Sequence, residues 1–296
     1  MDHQREFRRA ALELGIPDEE ISSFGRHLRV AIGLTPAGEG PAVGRLGGLP
    51  RLPVGMEWPS AGDIPLPLLL SVDCGALPGI DGSAIPDDGT LLFFVDQERD
   101  HEDTTGRYAR VVYVPDGTGT APAPPPHSVW VHDHQDVRAE LRAELPLWLQ
   151  ESEDEDWHEY WEDLEYEDMS SFQQELFQYM ERDLPHAHEL RTLARDLWPG
   201  DAFLVLGGYA DDEVISGIAQ QTLAGREKAG EIPAIPIAQW PSLLERERHR
   251  LTSEWTALMR QGRFYEEYST SFVIRHEDLA AARVDKALPV TGFLAP

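Results

Sequence analysis

Two histidines separated by one residue, His132-Asp133-His134 with Asp136 close behind, are the first groups in this 296-residue chain that could do chemistry. On an extended strand, residues two apart face the same way, so two imidazoles and a carboxylate are spaced to ligate a divalent metal. His132 and His134 are therefore the candidate ligands, but short His clusters are a compositional signal, and solvated loop histidines are the commoner outcome. His186 and His188 repeat the spacing and are read the same way. The pentad His158-Glu159-Tyr160-Trp161-Glu162 imitates a zinc-protease helix but carries glutamate where the second His ligand belongs. No metal and no cofactor are expected.

Nucleophilic and phosphate chemistry fare no better. Residues 40–48, GPAVGRLGG, lack the Gly-Lys-Ser/Thr ending that would set a lysine and a hydroxyl on phosphate and metal. There is no Gly-x-Ser-x-Gly elbow, and Cys74 stands beside Asp73 without a Cys-His signature. Many carboxylates are present, but acid/base work needs one buried with a shifted pKa, and composition does not single one out. No catalytic residue is assigned. The candidate binding residues are aromatic: Trp58 among prolines, Trp157 and Trp161 in an acidic stripe, and Tyr209 after a Gly-Gly turn.

Charge narrows the partners. The chain has 53 acids against 25 Lys and Arg, a formal net charge of −28, which repels phosphate backbones and anionic lipid. Neither nucleic acid nor membrane is an expected partner; another protein is. Residues 151–168 carry eleven acids and no Lys or Arg. A nucleic-acid mimic that occupies a basic groove is one alternative, and an enzyme or small-molecule binder with a cleft between two halves is another. With 41% hydrophobic residues, the chain can build a real core. No run of about 18 apolar residues could span a bilayer, no apolar segment follows residues 1–9, and a single cysteine suits a reducing compartment. A cytoplasmic protein is expected.

The elements that must position these residues can be taken in order. Phe7, Ala10, Ala11 and Leu14 have helical spacing, with Gly15 as the stop, and a second helix starts near Asp18. Residues 28–34 are the first strand. Residues 45–73 spend Gly and Pro where regular structure would not: Gly47-Gly48 permit left-handed angles, while Pro50, Pro53, Pro59, Pro65 and Pro67 fix φ and remove donors. This stiff stretch delivers the chain into a buried strand at 68–72. Strands at 90–96 and 108–114 form a hairpin whose Val111 and Tyr113 share a face. Residues 115–126 are an irregular excursion, and strands resume at 129–132 and 137–145. Amphipathic helices are expected over 153–183, where Trp157, Tyr160, Trp161 and Leu164 form a stripe, then over 186–198. A strand at 203–206 leads to Gly207-Gly208-Tyr209. A helix starts at Pro241, with residues 251–259 either its continuation or a strand. A strand at 270–275, a helix at 276–284 and a Pro-containing tail close the chain.

The run GGLPRLPVGMEWP, followed by PLLLSVD and GTLLFFVD, resembles the YwqG-like family of bacterial proteins. LGGYADDEVI at 206–215 is similar to that family's Leu-Gly-Tyr-Pro turn, and FVIRHEDLAAARVDKA at 272–287 to its closing strand and helix. The resemblance implies an α+β fold with mostly antiparallel sheets in a duplicated two-half arrangement, in which LLSVD…GTLLFFVD answers to EWTALMRQ…STSFVIR. It implies no activity. The family's Gln-Leu-Asp core and Trp-Gly-Asp turn are replaced by ALMRQGRFYEEYST. The expected organisation is one unit over 1–296, with N-terminal helices and first strand (1–34), a first β-rich half (35–149), an acidic helical insert (150–200) and a second half (201–296).

Overall fold

A computed structural model describes residues 3–293, apart from 38, 81, 104, 151–168, 201 and 262–266. Helices α1 (His3–Glu13) and α2 (Asp18–Gly25) lead into strands β1 (Arg29–Thr35), β2 (Gly44–Leu46) and β3 (Arg51–Pro53), then the short β4 (Ser60–Ala61) and β5 (Ile64–Pro65). The hairpin β6 (Leu68–Asp73) and β7 (Thr90–Val95) is followed by α3 (Gln97–Glu102), β8 (Ala109–Val114), β9 (Thr120–Pro122) and the long β10 (Gln135–Glu144). Helices α4 (Ser171–Asp183) and α5 (Ala187–Leu197) come next, then β11 (Leu204–Leu206), α6 (Asp212–Lys228) and α7 (Trp240–Thr252). Strands β12 (Trp255–Gln261) and β13 (Tyr268–Arg275), helix α8 (His276–Ala280) and β14 (Leu288–Phe293) complete an α+β fold.

Ten of these strands form one antiparallel sheet in the order β14-β13-β12-β11-β1-β10-β2-β6-β7-β8. β1 is central, and Ala31, Ile32 and Leu34 are all buried, so both of its faces are covered. Ile32 lies opposite Leu206 of β11, and Gln135 of β10 lies opposite Leu46 of β2. Towards one end Leu70 pairs with Phe93, and an irregularity separates this from Leu68↔Phe94. Towards the other end Met259 pairs with Phe272, and an irregularity separates this from Ala257↔Val273. The sheet curls until Phe93 and Phe272 meet edge to face, 5.4 Å between ring centroids, in a core shared with Leu34, Leu70, Leu206 and Ile274.

Each end of the sheet is tied to the other. Gln97 of α3 donates to Gln261 and Thr270, both at 2.9 Å, and Thr291 of β14 donates to Asp100 at 2.7 Å. The outer face is covered in three places. Phe7, Phe24, Leu149, Phe172 and Leu190 bring α1, α2, α4 and α5 together beside β10. Val214, Ile215 and Leu251 pack α6 and α7 on Trp255 and Val273. Leu52, Leu66 and Trp58 cover Leu92 and Phe94.

Several sequence expectations are corrected. Residues 115–126 are not wholly irregular, because Thr120–Pro122 pairs with Arg51–Pro53 in a two-stranded ribbon; prolines sit at ribbon ends, where a missing N–H is tolerated. Residues 129–132 form no strand and instead run into β10. The Pro-containing tail holds β14, since Pro289 faces away from the need for a donor at the sheet edge. Residues 251–259 split into the end of α7 and strand β12. Helix α4 starts from a capping box of Ser170 and Gln173. The acidic block before it lies outside the described residues, and among those described no helix is long and apolar enough to cross a membrane.

Candidate functional site

Two Gly-Gly turns each set two consecutive glycines in the left-handed region. β11 runs into Gly207 and Gly208, with φ of +77° and +75°, angles that disfavour any side chain. A Cβ on Gly208 would clash with the Glu144 carboxylate and lie 3.1 Å from Ala31 Cβ. Arg29 donates to the carbonyls of Gly208 and Thr252, both at 2.9 Å, and its guanidinium carbon lies 3.9 Å from the centre of the Tyr209 ring. The Tyr209 hydroxyl donates to the His27 carbonyl at 2.7 Å. Glu144, at the end of β10, accepts from Tyr209 N at 3.1 Å and from Arg260 at 2.5 Å, with Arg142 at 3.3 Å.

This turn is clothed. Trp148 lies 4.9 Å from His27 and Tyr179 of α4 lies 5.9 Å away, centroid to centroid. Burial pushes His27 down to about 4, helped by the nearby charges of His249 and Arg26. A carboxylate held by two guanidiniums and an amide is fixed as an acceptor, which suits structure better than proton transfer.

The other Gly-Gly turn is bare. β2 runs into Gly47 and Gly48, with φ of +59° and +74°. Gly47 N donates to Leu69 O at 2.9 Å and Gly48 N to His132 O at 3.0 Å. A Cβ on Gly47 would come within 2.7 Å of Asp133 O, and one on Gly48 within 3.0 Å of His134 Cβ, so glycine is required at both positions. Beyond the turn, Ala123 N donates to Pro50 O and Val54 N to Gly119 O, both at 3.0 Å. Residues 47–56 and 117–134 therefore run side by side. On them Leu49 is 44% exposed, Trp130 73% and Val131 37%, with Val54 and Met56 exposed farther along. Residues 40–56 and 117–132 contain no Asp or Glu in a chain of net charge −28, and the first stretch carries Arg45 and Arg51.

The sequence-predicted residues fall in different places. Trp58 is half-buried, donates Nε1–H to Leu66 O at 2.8 Å and meets Phe94 edge to face, so its ring anchors the Pro-rich crossing. Tyr209 is committed to the clothed turn. Trp157 and Trp161 lie outside the described residues. His132 and His134 are exposed beside the bare turn, while Asp136 pairs with Arg45 at 3.3 Å. Among the described residues no three His, Cys, Asp or Glu side chains are grouped to hold a metal. Glu20, buried, accepts from His186 Nδ1 at 2.8 Å, which raises the His186 pKa. Cys74 is buried, and burial pushes its thiol up to about 12, so it stays protonated and unreactive. Trp130 was not singled out by sequence reasoning; its signal is a tryptophan in a Pro-rich, acid-free stretch.

Two further polar places exist. A depression of about 500 Å³ at the ends of β6, β7 and β8 is lined by Asp73, Asp88, Asp116, Thr90, Thr118 and Thr120. Tyr113 donates to Asp88 at 2.6 Å, and that bond pushes the phenol up to about 12. All its lining residues come from one end of the sheet, so it is not a cleft between two halves. Asp100 is buried with one oxygen unpartnered, and desolvation raises its pKa.

Residues 44–290 match the model of a family described as a domain of unknown function, DUF1963. No curated protein matches the chain.

Proposed function

Because the chain belongs to the DUF1963 family, whose description carries no activity, we propose its function from its surface: a non-catalytic module, YwqG-like and cytoplasmic, that works by binding another protein. The observation that carries this reading is the bare Gly47-Gly48 turn, where Leu49, Trp130 and Val131 stand in water on two loops pinned to each other by backbone hydrogen bonds. Exposed apolar side chains scattered singly need no explanation, but a tryptophan and two aliphatics gathered on a stiff frame do. Tryptophan is the residue most enriched at the energetic centre of interfaces, and a frame ordered in advance lowers the entropy lost on association. Residues 40–56 and 117–132 carry no carboxylate, and Asp136 beside them is paired with Arg45, which lessens the repulsion that the rest of the surface would exert on an acidic neighbour.

The test is affinity capture from native lysate with the wild-type chain and with the Leu49→Ser/Trp130→Ala variant in parallel. A partner recovered by the first and lost by the second supports the reading; identical recovery by both overturns it. A second reading, favoured by the depression at Asp73, Asp88 and Asp116, is a small cationic or hydroxyl-rich ligand held by carboxylates and threonine hydroxyls. Ligand-induced stabilisation that Asp88→Asn abolishes would support it, and a melting temperature unmoved by polyols and polyamines would count against it.

A further inference from the structure

We infer that the bare Gly47-Gly48 turn is the seat of an amphipathic helix presented by the partner, its apolar face laid across Leu49, Trp130 and Val131. This rests on the protein-binding reading and adds the chemistry of the partner. The ground for it is strand register. Leu46 stands opposite Gln135 as Leu206 stands opposite Ile32. Leu70 pairs with Phe93 as Met259 pairs with Phe272, and each pairing is followed by the same irregularity, before Leu68↔Phe94 in one case and Ala257↔Val273 in the other. Gly47 N bonds to Leu69 O and Gly207 N to Ala257 O, acceptors that differ by one residue in register but both belong to the irregularity. The two Gly-Gly turns thus occupy equivalent positions in two copies of one strand pattern.

Equivalence extends to the side chains around the turns. A Cβ on Gly48 would touch His134 Cβ and one on Gly208 would touch Ala31 Cβ, three residues after Val131 and Leu28 respectively. Leu49 takes the place of Tyr209, Trp130 that of His27 and Val131 that of Leu28. In the second copy these positions are covered by helical segments of the chain itself. Trp148 from the 3-10 turn 147–149 and Tyr179 from α4 close on His27, and the end of α7 supplies the Thr252 carbonyl to Arg29. Leu28 packs into the core of α1, α2, α4 and α5. Among the described residues, the first copy has the same frame without the helices.

An extended peptide is the obvious competitor, added to an edge of the β3–β9 ribbon. That edge is poor in donors, because Pro50, Pro53, Pro122, Pro124, Pro125 and Pro126 have no N–H to offer a new strand. A helix satisfies its own backbone and asks only for apolar contact, which Leu49, Trp130 and Val131 supply. Arg51, exposed, donates to the Thr120 carbonyl at 3.1 Å and so leaves its positive charge on the ribbon surface, favourable to an acidic helix flank.

Two display libraries panned against the full chain test this. One carries peptides of about four helical turns with apolar residues at i, i+3, i+4 and i+7, and the other carries extended Pro-rich peptides. The expected result is binders from the helical library that gain helical circular dichroism on binding and lose about tenfold or more in affinity with Trp130→Ala and with Leu49→Asp. Both residues are exposed, and an unchanged melting curve verifies folding of each variant. Binders only from the extended library, sensitive to Trp130→Ala, would overturn the helix and leave the protein-binding face standing. No binder sensitive to either variant would overturn both. A self-association of the chain that Trp130→Ala abolishes would also overturn the helix, since the occupant would then be a second copy.

Discussion

The clothed turn at Gly207-Gly208 and the bare turn at Gly47-Gly48 use one backbone device for opposite ends. Both put two left-handed glycines after a three-residue strand, and both press the second glycine against a neighbouring Cβ. They differ in what the chain does next. After Gly208 it spends residues 212–252 on α6 and α7, which cover Trp255 and Val273, and α4 closes on His27 from another side. After Gly48 it crosses directly on a proline-stiffened path to β6, where Leu52, Leu66 and Trp58 cover Leu92, Phe94 and Val114. A short connection leaves the turn in water. The polar residues follow suit: Glu144 is buried and Arg29 and Arg260 are partly covered at the clothed turn, while His132 and His134 stand in solvent at the bare one. What separates the two turns is therefore cover, and the sharpest experiments strip it from one turn or perturb the other.

The largest effect is expected at Glu144. Replacing it by alanine leaves Arg260 and Arg142 facing each other without a counter-charge and Tyr209 N without an acceptor. Breaking a buried pair by removing one partner costs about 3–5 kcal/mol, and the partial water contact of both arginines puts this site near 3 kcal/mol. Urea denaturation would show it as a lowered midpoint with an unchanged slope. A loss below about 1 kcal/mol would mean that the clothed turn is held by its helices alone.

The glycines come next. Gly208→Ala combines a left-handed angle with a collision against Glu144 and is expected to lose about 2–3 kcal/mol. Gly48→Ala has the same angle and would set its Cβ 3.0 Å from His134 Cβ, but on an exposed loop and not against a buried carboxylate, so a smaller loss of about 1–2 kcal/mol is expected. Equal losses in thermal or chemical denaturation would dissolve the distinction between the turns.

A smaller and pH-dependent effect belongs to the cover. The unfolded His27 imidazole binds a proton near 6.5, whereas the folded one, desolvated beneath Trp148 and Tyr179, does so only at about 4. Between these values the unfolded chain holds more protons, so stability is complete above pH 6.5 and falls as pH drops towards 4. His27→Gln should flatten part of that fall. His249 and His276, also lowered by burial, keep the remainder. A stability profile between pH 7 and 4 that the substitution leaves unchanged would mean that His27 is open to water.

Legibility in the sequence followed the same division. Elements with strong periodicity were readable: α1 from Phe7 and Ala11, β7 from its apolar run, α5 from Leu190 and Ala194. β9 and β14 were hidden because prolines mark a strand edge and a loop alike, and α6 because Ala219 and Leu223 lie among polar residues with little periodicity. The identity of the exposed tryptophan was not readable either. Trp58 and Trp130 both stand near prolines, and only the tertiary path decides that Trp58 finds the Leu66 carbonyl while Trp130 finds none of the core. Pro/Gly punctuation at residues 45–73 marked a stiff crossing; that it leaves a face uncovered depends on the long-range pairing of Pro50 with Ala123.

The smallest stability change is expected where the functional change is largest. Leu49→Ser and Trp130→Ala remove side chains that already face water, so each should alter unfolding free energy by no more than about 0.5 kcal/mol. Apolar side chains left in water at that size are not maintained by folding; their free-energy return comes only when something covers them. If chemical denaturation instead shows a loss of about 2 kcal/mol at Trp130, its ring is buried in the working structure, the two turns are both clothed, and the bare face ceases to exist.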